Sequence, residues 1–149
     1  MFRSFWHISK QNKDIDIDIE KDYGPSSKEL RHFDKDDFAC PCCGKNKTPL
    51  WFMKEIDDCR NKTGFPWIIT SACRCEKHNK NIEGSGTSSH LTSANEEVVA
   101  VDIFCDNDEK RFKMIEQLRL HGFKRFGIGI NFIHTDKDNK KNQERIWVY

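Results

Sequence analysis

The sequence lacks a long apolar run, and this absence excludes a protein that crosses a membrane. No stretch approaches the roughly 20 consecutive apolar residues that a transmembrane helix requires. The first residues, MFRSFWHISKQNK, also lack the apolar segment of a secretory signal peptide. We therefore expect a protein that is cytoplasmic as synthesised and that reaches other compartments only if it is released.

The sequence also lacks an excess of charge of one sign. Its 25 basic and 24 acidic residues give a formal net charge of +1. A nucleic-acid-binding domain usually carries a clearly basic surface, so we expect no nucleic-acid partner. The length of 149 residues fits one compact domain with a core of its own, which we expect to act as a monomer.

The seven cysteines are an odd number, which excludes complete internal disulfide pairing. Because no export signal precedes them, we expect reduced thiols. Some of them could form a structural zinc site through thiolate coordination. The candidates are Cys40, Cys42 and Cys43, with Cys59 or the pair Cys73 and Cys75. The run Cys-Pro-Cys-Cys is tighter than a usual zinc knuckle, so the pattern favours buried, unreactive thiols.

Two regions are predicted along the chain, an N-terminal appendage over residues 1–27 and a folded domain over residues 28–149. The appendage contains the alternation DIDIDIE at residues 14–20, which has the period of a half-exposed strand. A mobile acidic arm is the alternative, since all its carboxylates would lie on one face. The alternation lacks the glycine and the distal glutamate of an EF-hand loop, so we do not expect calcium.

Short helices and short strands follow one another in the folded domain without a regular βαβ rhythm. This order predicts an α+β fold with a small, mostly antiparallel sheet and flanking helices. A helix is predicted to begin at about Asn107 or Asp108 and to end at Leu120, and Phe112, Ile115 and Leu118 mark one of its faces. Apolar segments predict the strands, at residues 67–71, 98–104, 126–130, 132–135 and 146–149.

Two histidines and one aspartate stand in unusual sequence contexts. His90 follows the Gly/Ser-rich residues 84–89, and His134 lies inside the apolar segment 132–135. Asp102 lies near the end of another apolar segment, where a buried carboxylate needs a cationic partner. Two imidazoles and one carboxylate suit catalytic zinc, since three protein ligands leave a fourth position for water. Their spacing is not a compact motif, so by itself it also fits histidines without a function.

Six segments of the chain form a recognisable series. They are residues 32–33 with 37–44 (DFACPCCG), 69–75 (ITSACRC) with 78–79, 88–91 (SSHL), 100–103 (AVDI), 124–136 (ending FIHTD) and 147–149 (WVY). In this order they resemble the peptidase M15 family, in particular its small D-Ala-D-Ala carboxypeptidase-like and phage endolysin-like branch. The resemblance covers residues 32–149.

The resemblance implies a hedgehog/DD-peptidase-like fold and a zinc-dependent metallopeptidase. The implied substrate is a peptidoglycan stem peptide, cleaved by a D-Ala-D-Ala carboxypeptidase or by an endolysin-type endopeptidase. His90, Asp102 and His134 match the zinc ligands of the family. Arg74 matches the arginine that anchors the substrate, and a guanidinium suits a carboxylate because it can bind through two hydrogen bonds. Ser88 matches a serine that helps to orient the site.

The general base and one ligand stay open at this point. Asp136 shares a strand face with His134 because side chains alternate with period two, and we expect it to be the general base or a partner that supports His134. The family spacing between the first histidine and the aspartate is shorter than that from His90 to Asp102, and Glu97 stands at the family spacing. We prefer Asp102, because its Ala-Val-Asp-Ile surroundings match better and a looped-out insertion costs little closure entropy.

Two other functional classes remain beside the enzyme. If the insertion before Asp102 disrupts the ligand set, the protein is a catalytically impaired module that binds cell-wall peptides. If the cysteines hold the zinc, it is a cysteine-based interaction module.

Overall fold

A computed structural model describes residues 29–149 of the chain. The chain divides into two units, Met1–Arg31 and His32–Tyr149, and the second contains all the elements described below. The appendage predicted for residues 1–27, with its acidic alternation, lies outside the described residues.

Five strands form one open sheet. The strands are β1 (Ile69–Ser71), β2 (Ala100–Phe104), β3 (Arg125–Ile128), β4 (Phe132–Asp136) and β5 (Arg145–Val148). Their order across the sheet is β1-β2-β4-β3-β5. Every neighbouring pair is antiparallel except β3 and β5, which are parallel. The predicted α+β fold with a small, mostly antiparallel sheet is confirmed.

Three α-helices and one short 3₁₀ helix accompany the sheet within residues 29–149. They are α1 (Leu50–Thr63), α2 (Glu76–Asn81), α3 (Asp108–Leu120) and the 3₁₀ helix Lys35–Phe38. Helix α1 ends at Gly64, whose φ of 74° lies in the left-handed region that glycine adopts without steric cost. Helix α3 begins after Asn107, whose side chain accepts a hydrogen bond from the Lys110 N–H at 2.9 Å.

The buried face of α3 differs from the face that the sequence pattern marked. Met114 and Leu118 are buried, and the same stripe passes through Arg111, at the spacing i, i+3, i+7. Phe112, which the sequence pattern grouped with Leu118 on one apolar face, is instead 70% exposed. Arg111 turns the other way and donates hydrogen bonds to two main-chain carbonyl oxygens, one just after β2 and one in the turn between β3 and β4.

One row of directly paired residues crosses all five strands. From β1 to β5 it consists of Ser71, Asp102, His134, Gly127 and Trp147. Directly opposed residues point to the same face of a sheet, so this row brings an acid, an imidazole and an indole together on one side. Side chains on the other face, such as those of β2 and β4, belong to the buried core.

Gly127 provides the space on which this row depends. A Cβ there would lie 2.6 Å from Tyr149 Cε2 and 2.8 Å from the Trp147 ring. We expect Gly127→Ala to lower the free energy of unfolding by about 1–3 kcal/mol, as overpacking does, and to displace both aromatic rings. Denaturant unfolding and tryptophan fluorescence would measure the two effects. Gly86→Ala is the matched control, because a Cβ at Gly86 meets nothing within 4 Å. Equal stabilities for the two variants would contradict the close packing at Gly127.

Candidate metal centre

Three buried side chains, His90, Asp102 and His134, converge beside the sheet. Asp102 Oδ1 lies 2.8 Å from His134 Nδ1 and 3.2 Å from His90 Nε2, and the two ring nitrogens are 3.1 Å apart. A tetrahedral zinc ion with bonds of about 2.0–2.1 Å places its ligand atoms about 3.3 Å apart. The triangle of donor atoms therefore fits a zinc ion in both size and chemistry.

The sheet and one loop position these three residues. Asp102 on β2 and His134 on β4 are direct partners in the strand register. His90 comes from the loop after α2, and this loop is held to the sheet end by the Arg74 N–H, which donates to the His90 carbonyl at 2.9 Å. The His90 Nδ1–H donates to the Ala72 carbonyl at 2.7 Å. This bond fixes the ring and leaves the Nε2 lone pair free for a metal.

His134 is oriented by a carboxylate on its far side. Its Nε2–H donates to Asp136 Oδ2 at 2.8 Å, so the Nδ1 lone pair points into the triangle. The other oxygen of Asp136 accepts hydrogen bonds from Arg125 Nε at 2.8 Å and from the Asp138 N–H at 3.1 Å. Asp136 is only 1% exposed. Both of its oxygens are thus engaged on the side of His134 that faces away from the triangle.

Arg74 holds the third corner of the triangle. Its Nη2 donates to Asp102 Oδ2 at 2.6 Å, and its Nε donates to Ser71 Oγ at 2.7 Å. Asp102 therefore presents one oxygen to the histidines and the other to the guanidinium. Arg74 also lines the cavity above the triangle.

Burial and neighbouring charges shift the ionisation of these groups in opposite directions. Burial lowers the pKa of His90, because it penalises the imidazolium. Burial also acts to lower the pKa of His134, but the carboxylates of Asp102 and Asp136 outweigh it and raise that pKa. Burial acts to raise the pKa of both carboxyls, yet the imidazoles beside them hold each below its usual range. Both carboxylates are therefore charged at neutral pH.

A cavity of 460 Å³ opens over the triangle. Phe132, Trp147 and Tyr149 form its aromatic side, and the Trp147 ring centroid lies 5.5 Å from that of His134. The Arg125 guanidinium packs over the Trp147 ring at 5.2 Å. None of these four residues was assigned a role from the sequence. Arg125 and Trp147 lie on strands that meet His134 only in the folded sheet, whereas Phe132 precedes His134 by two residues on β4, so period-two alternation was a signal for it.

Ser88 and Glu97, which were also candidates, occupy different positions. Ser88 Oγ accepts a hydrogen bond from the His90 N–H at 3.3 Å, and the residue lines the cavity, so it shapes the turn that carries His90. Glu97 is exposed and belongs to neither of the two possible metal-binding groups found within residues 29–149. It is Asp102 that the fold brings to the histidines.

The insertion between His90 and Asp102 is folded back on itself. The Asn95 side-chain amide donates to the carbonyl oxygens of Ser88 at 3.1 Å and Leu91 at 2.9 Å. The Thr92 N–H donates to the Arg74 carbonyl at 2.8 Å. These bonds anchor the extra residues beside the site while leaving the triangle intact.

Comparison with known families gives one match. A family model described as Peptidase M15 matches residues 31–136, a segment that includes all three corners of the triangle. No curated protein matches the chain. Within residues 29–149, no helix is both long and apolar enough to cross a membrane.

Proposed function

The chain belongs to the peptidase M15 family, and from this premise we propose that it is a zinc-dependent enzyme that hydrolyses peptide bonds in peptidoglycan stem peptides. The family is one of metal-dependent peptidases. The observation that carries the proposal is the triangle of His90 Nε2, Asp102 Oδ1 and His134 Nδ1, with edges of 2.8–3.2 Å. Its two imidazoles and one carboxylate are a donor set found in catalytic zinc sites, where a fourth position stays open.

These three atoms would hold the zinc ion. When bound, zinc supplies Lewis acidity, which polarises a carbonyl group and lowers the pKa of water to about 7. Hydrogen bonds within the protein fix the orientation of the three ligands. Ala72 fixes the tautomer of His90, and Asp136 fixes that of His134. Arg74 keeps Asp102 from offering both oxygens to the triangle.

Arg74 would also anchor a substrate carboxylate. A guanidinium carries five N–H donors. The hydrogen bonds described for Arg74 within residues 29–149 use Nε and Nη2, on Ser71 and Asp102. The group lines the cavity, where a further donor can meet the carboxylate of a stem peptide. The aromatic side formed by Phe132, Trp147 and Tyr149 supplies apolar area for the rest of the peptide.

Asp136 was expected to be either a general base or a partner that supports His134, and we assign it the second role. A base must come within hydrogen-bonding reach of the proton that it removes. The oxygens of Asp136 are bonded instead to His134 Nε2, Arg125 and the main chain at Asp138. The carboxylate would therefore orient the imidazole and strengthen it as a ligand.

Removing the metal tests the proposed function. We expect a chelator to abolish the hydrolysis of purified peptidoglycan or of a D-Ala-D-Ala peptide, and added zinc to restore it, because Lewis acidity is lost with the ion. Mass spectrometry of the products would show which bond is cut. Free D-alanine would indicate a carboxypeptidase, and cleavage inside cross-linked stems an endopeptidase. Zinc bound by His90 and His134 without turnover of either substrate would contradict the enzyme and leave the peptide-binding module.

A further inference from the structure

Three cysteine sulfur atoms lie together outside the cavity, and a fourth cysteine is next to one of them in the chain. The sulfur atoms of Cys40, Cys43 and Cys75 are all within 4.8 Å of one another. Cys42 is the chain neighbour of Cys43 in the same turn. Cys42 and Cys43 are exposed, so the interpretation of these thiols as buried and unreactive is wrong for both. We call Cys40, Cys42, Cys43 and Cys75 the thiol cluster.

The local chain shape at this cluster is that of a metal-binding knuckle. Cys40 and Cys43 are separated by two residues, which is the C-x2-C spacing of structural zinc sites. The run looked too tight for a zinc knuckle because Cys42 is an additional cysteine between them. The Gly44 N–H donates to the Cys40 carbonyl at 2.8 Å, and the Cys40 N–H donates to the Lys45 carbonyl at 2.9 Å. Gly44 has a φ of 73°, which closes the turn at no cost for glycine. The turn therefore presents several sulfurs from one short segment.

Main-chain N–H groups donate to two of the four sulfur atoms. The Cys75 N–H donates to Cys40 Sγ at 3.3 Å, and the His78 N–H donates to Cys75 Sγ at 3.4 Å. A neutral thiol is a weak acceptor, whereas a metal-bound thiolate is a strong one. The backbone is thus arranged around negatively charged sulfur.

We propose that the thiol cluster binds a second zinc ion with a structural role. Cys40, Cys43 and Cys75 would supply three of the ligands, and Cys42, the neighbour of Cys43, the fourth. Four thiolates complete a tetrahedral shell with Zn–S bonds of about 2.3 Å and sulfur atoms about 3.8 Å apart. Such a site is closed, because no position remains for water or substrate. The proposal does not depend on the peptidase activity, since it concerns different residues.

The thiol cluster lies next to the segment that positions Arg74 and His90. Cys75 precedes α2 as its N-cap residue and follows Arg74 directly. The main chain of Arg74 pairs with His90 and Thr92. A zinc ion would join the turn at residues 40–45 to Cys75. It would therefore fix the main chain of Arg74, and through it the loop that carries His90.

Metal content of purified variants tests this inference. We expect two zinc equivalents in the unaltered protein, one in His90→Ala/His134→Ala and one in Cys43→Ser/Cys75→Ser. Cys105→Ala is the matched control, because Cys105 is a free cysteine outside the cluster, and it should keep both equivalents. Loss of all zinc in the histidine variant would overturn the thiol site. If the histidine variant keeps one zinc equivalent but the unaltered protein has no peptidase activity, only the proposed function is contradicted.

A measurement on the unaltered chain covers the case in which the cysteine variant fails to fold. Cys42 and Cys43 are exposed, so without a metal they should react readily with an alkylating reagent. We expect both to be protected in zinc-loaded protein and modified once zinc is chelated, as read by mass spectrometry of their peptide. Ready alkylation in the zinc-loaded protein, or a disulfide within the cluster there, would overturn the inference. Cobalt added to His90→Ala/His134→Ala should also give the thiolate-to-cobalt charge-transfer absorption.

Discussion

Asp102→Asn abolishes both peptidase activity and zinc binding at the histidine site, whereas Glu97→Gln leaves both unchanged. This is the largest effect that we expect from a single substitution. The reason is geometric, because Asp102 Oδ1 lies within 3.2 Å of both ring nitrogens, while Glu97 is exposed and outside the triangle. Loss of the several kcal/mol that a metal supplies should lower kcat/KM by at least about 10³-fold, at about 1.4 kcal/mol per factor of ten.

The two variants are matched, since each replaces one carboxylate by its amide. Zinc titration and hydrolysis of a stem peptide would be measured on both. Asp102→Asn also leaves the partly buried Arg74 without its carboxylate, so circular dichroism must show that this variant is folded. A folded Asp102→Asn protein with full zinc affinity would contradict the ligand assignment. Loss of zinc in Glu97→Gln would instead identify Glu97 as the third metal ligand.

Asp136→Asn is expected to weaken zinc binding by about 10–100-fold, as the loss of a partner behind a metal-binding histidine does. It should also lower the free energy of unfolding by about 3–5 kcal/mol, because Arg125 loses its buried charge partner. Hydrolysis at saturating zinc separates the two roles considered for Asp136. A positioning residue predicts that excess zinc restores most of kcat. A kcat still lowered by more than about 10²-fold at full occupancy would instead fit a general base.

Asp108→Asn is the matched control for stability. Asp108 makes an exposed ion pair with Arg111 at 3.7 Å, and exposed pairs contribute about 1 kcal/mol at most. Denaturant unfolding should therefore give a clearly lower free energy of unfolding for Asp136→Asn than for Asp108→Asn. Similar stabilities would mean that Arg125 is compensated in some other way when Asp136 is lost.

Local patterns in the sequence predicted most of the sheet. All five strands form where apolar segments stand, with ends shifted by one or two residues. The period-two argument also placed Asp136 on the face of His134, and the two side chains are hydrogen-bonded. These features depend only on residues that are close together in the chain, so a local sequence pattern is enough to predict them.

Features that depend on strand pairing were not predicted. Arg125 lies opposite Asp136 because β3 and β4 form a tight hairpin. Register counted outward from the short turn at residues 129–131 was the signal that would have found this pair. The parallel pairing of β3 with β5, which brings Trp147 to the site, had no such signal, because nothing local specifies a parallel neighbour. Residue identities at the site came from resemblance to a family, and their spacing alone would not have given them.

Successive hydrogen bonds join five side chains in one line, namely Arg125, Asp136, His134, Asp102 and Arg74. Their two guanidiniums and two carboxylates cancel, so with a neutral His134 imidazole this line is already electroneutral. A zinc ion would then add two positive charges that the line itself does not offset. The loaded cleft would favour anions, and simple carboxylates should compete with a peptide for it. The same surplus would favour a substrate that carries its own negative charge, such as a peptide with a free carboxyl end.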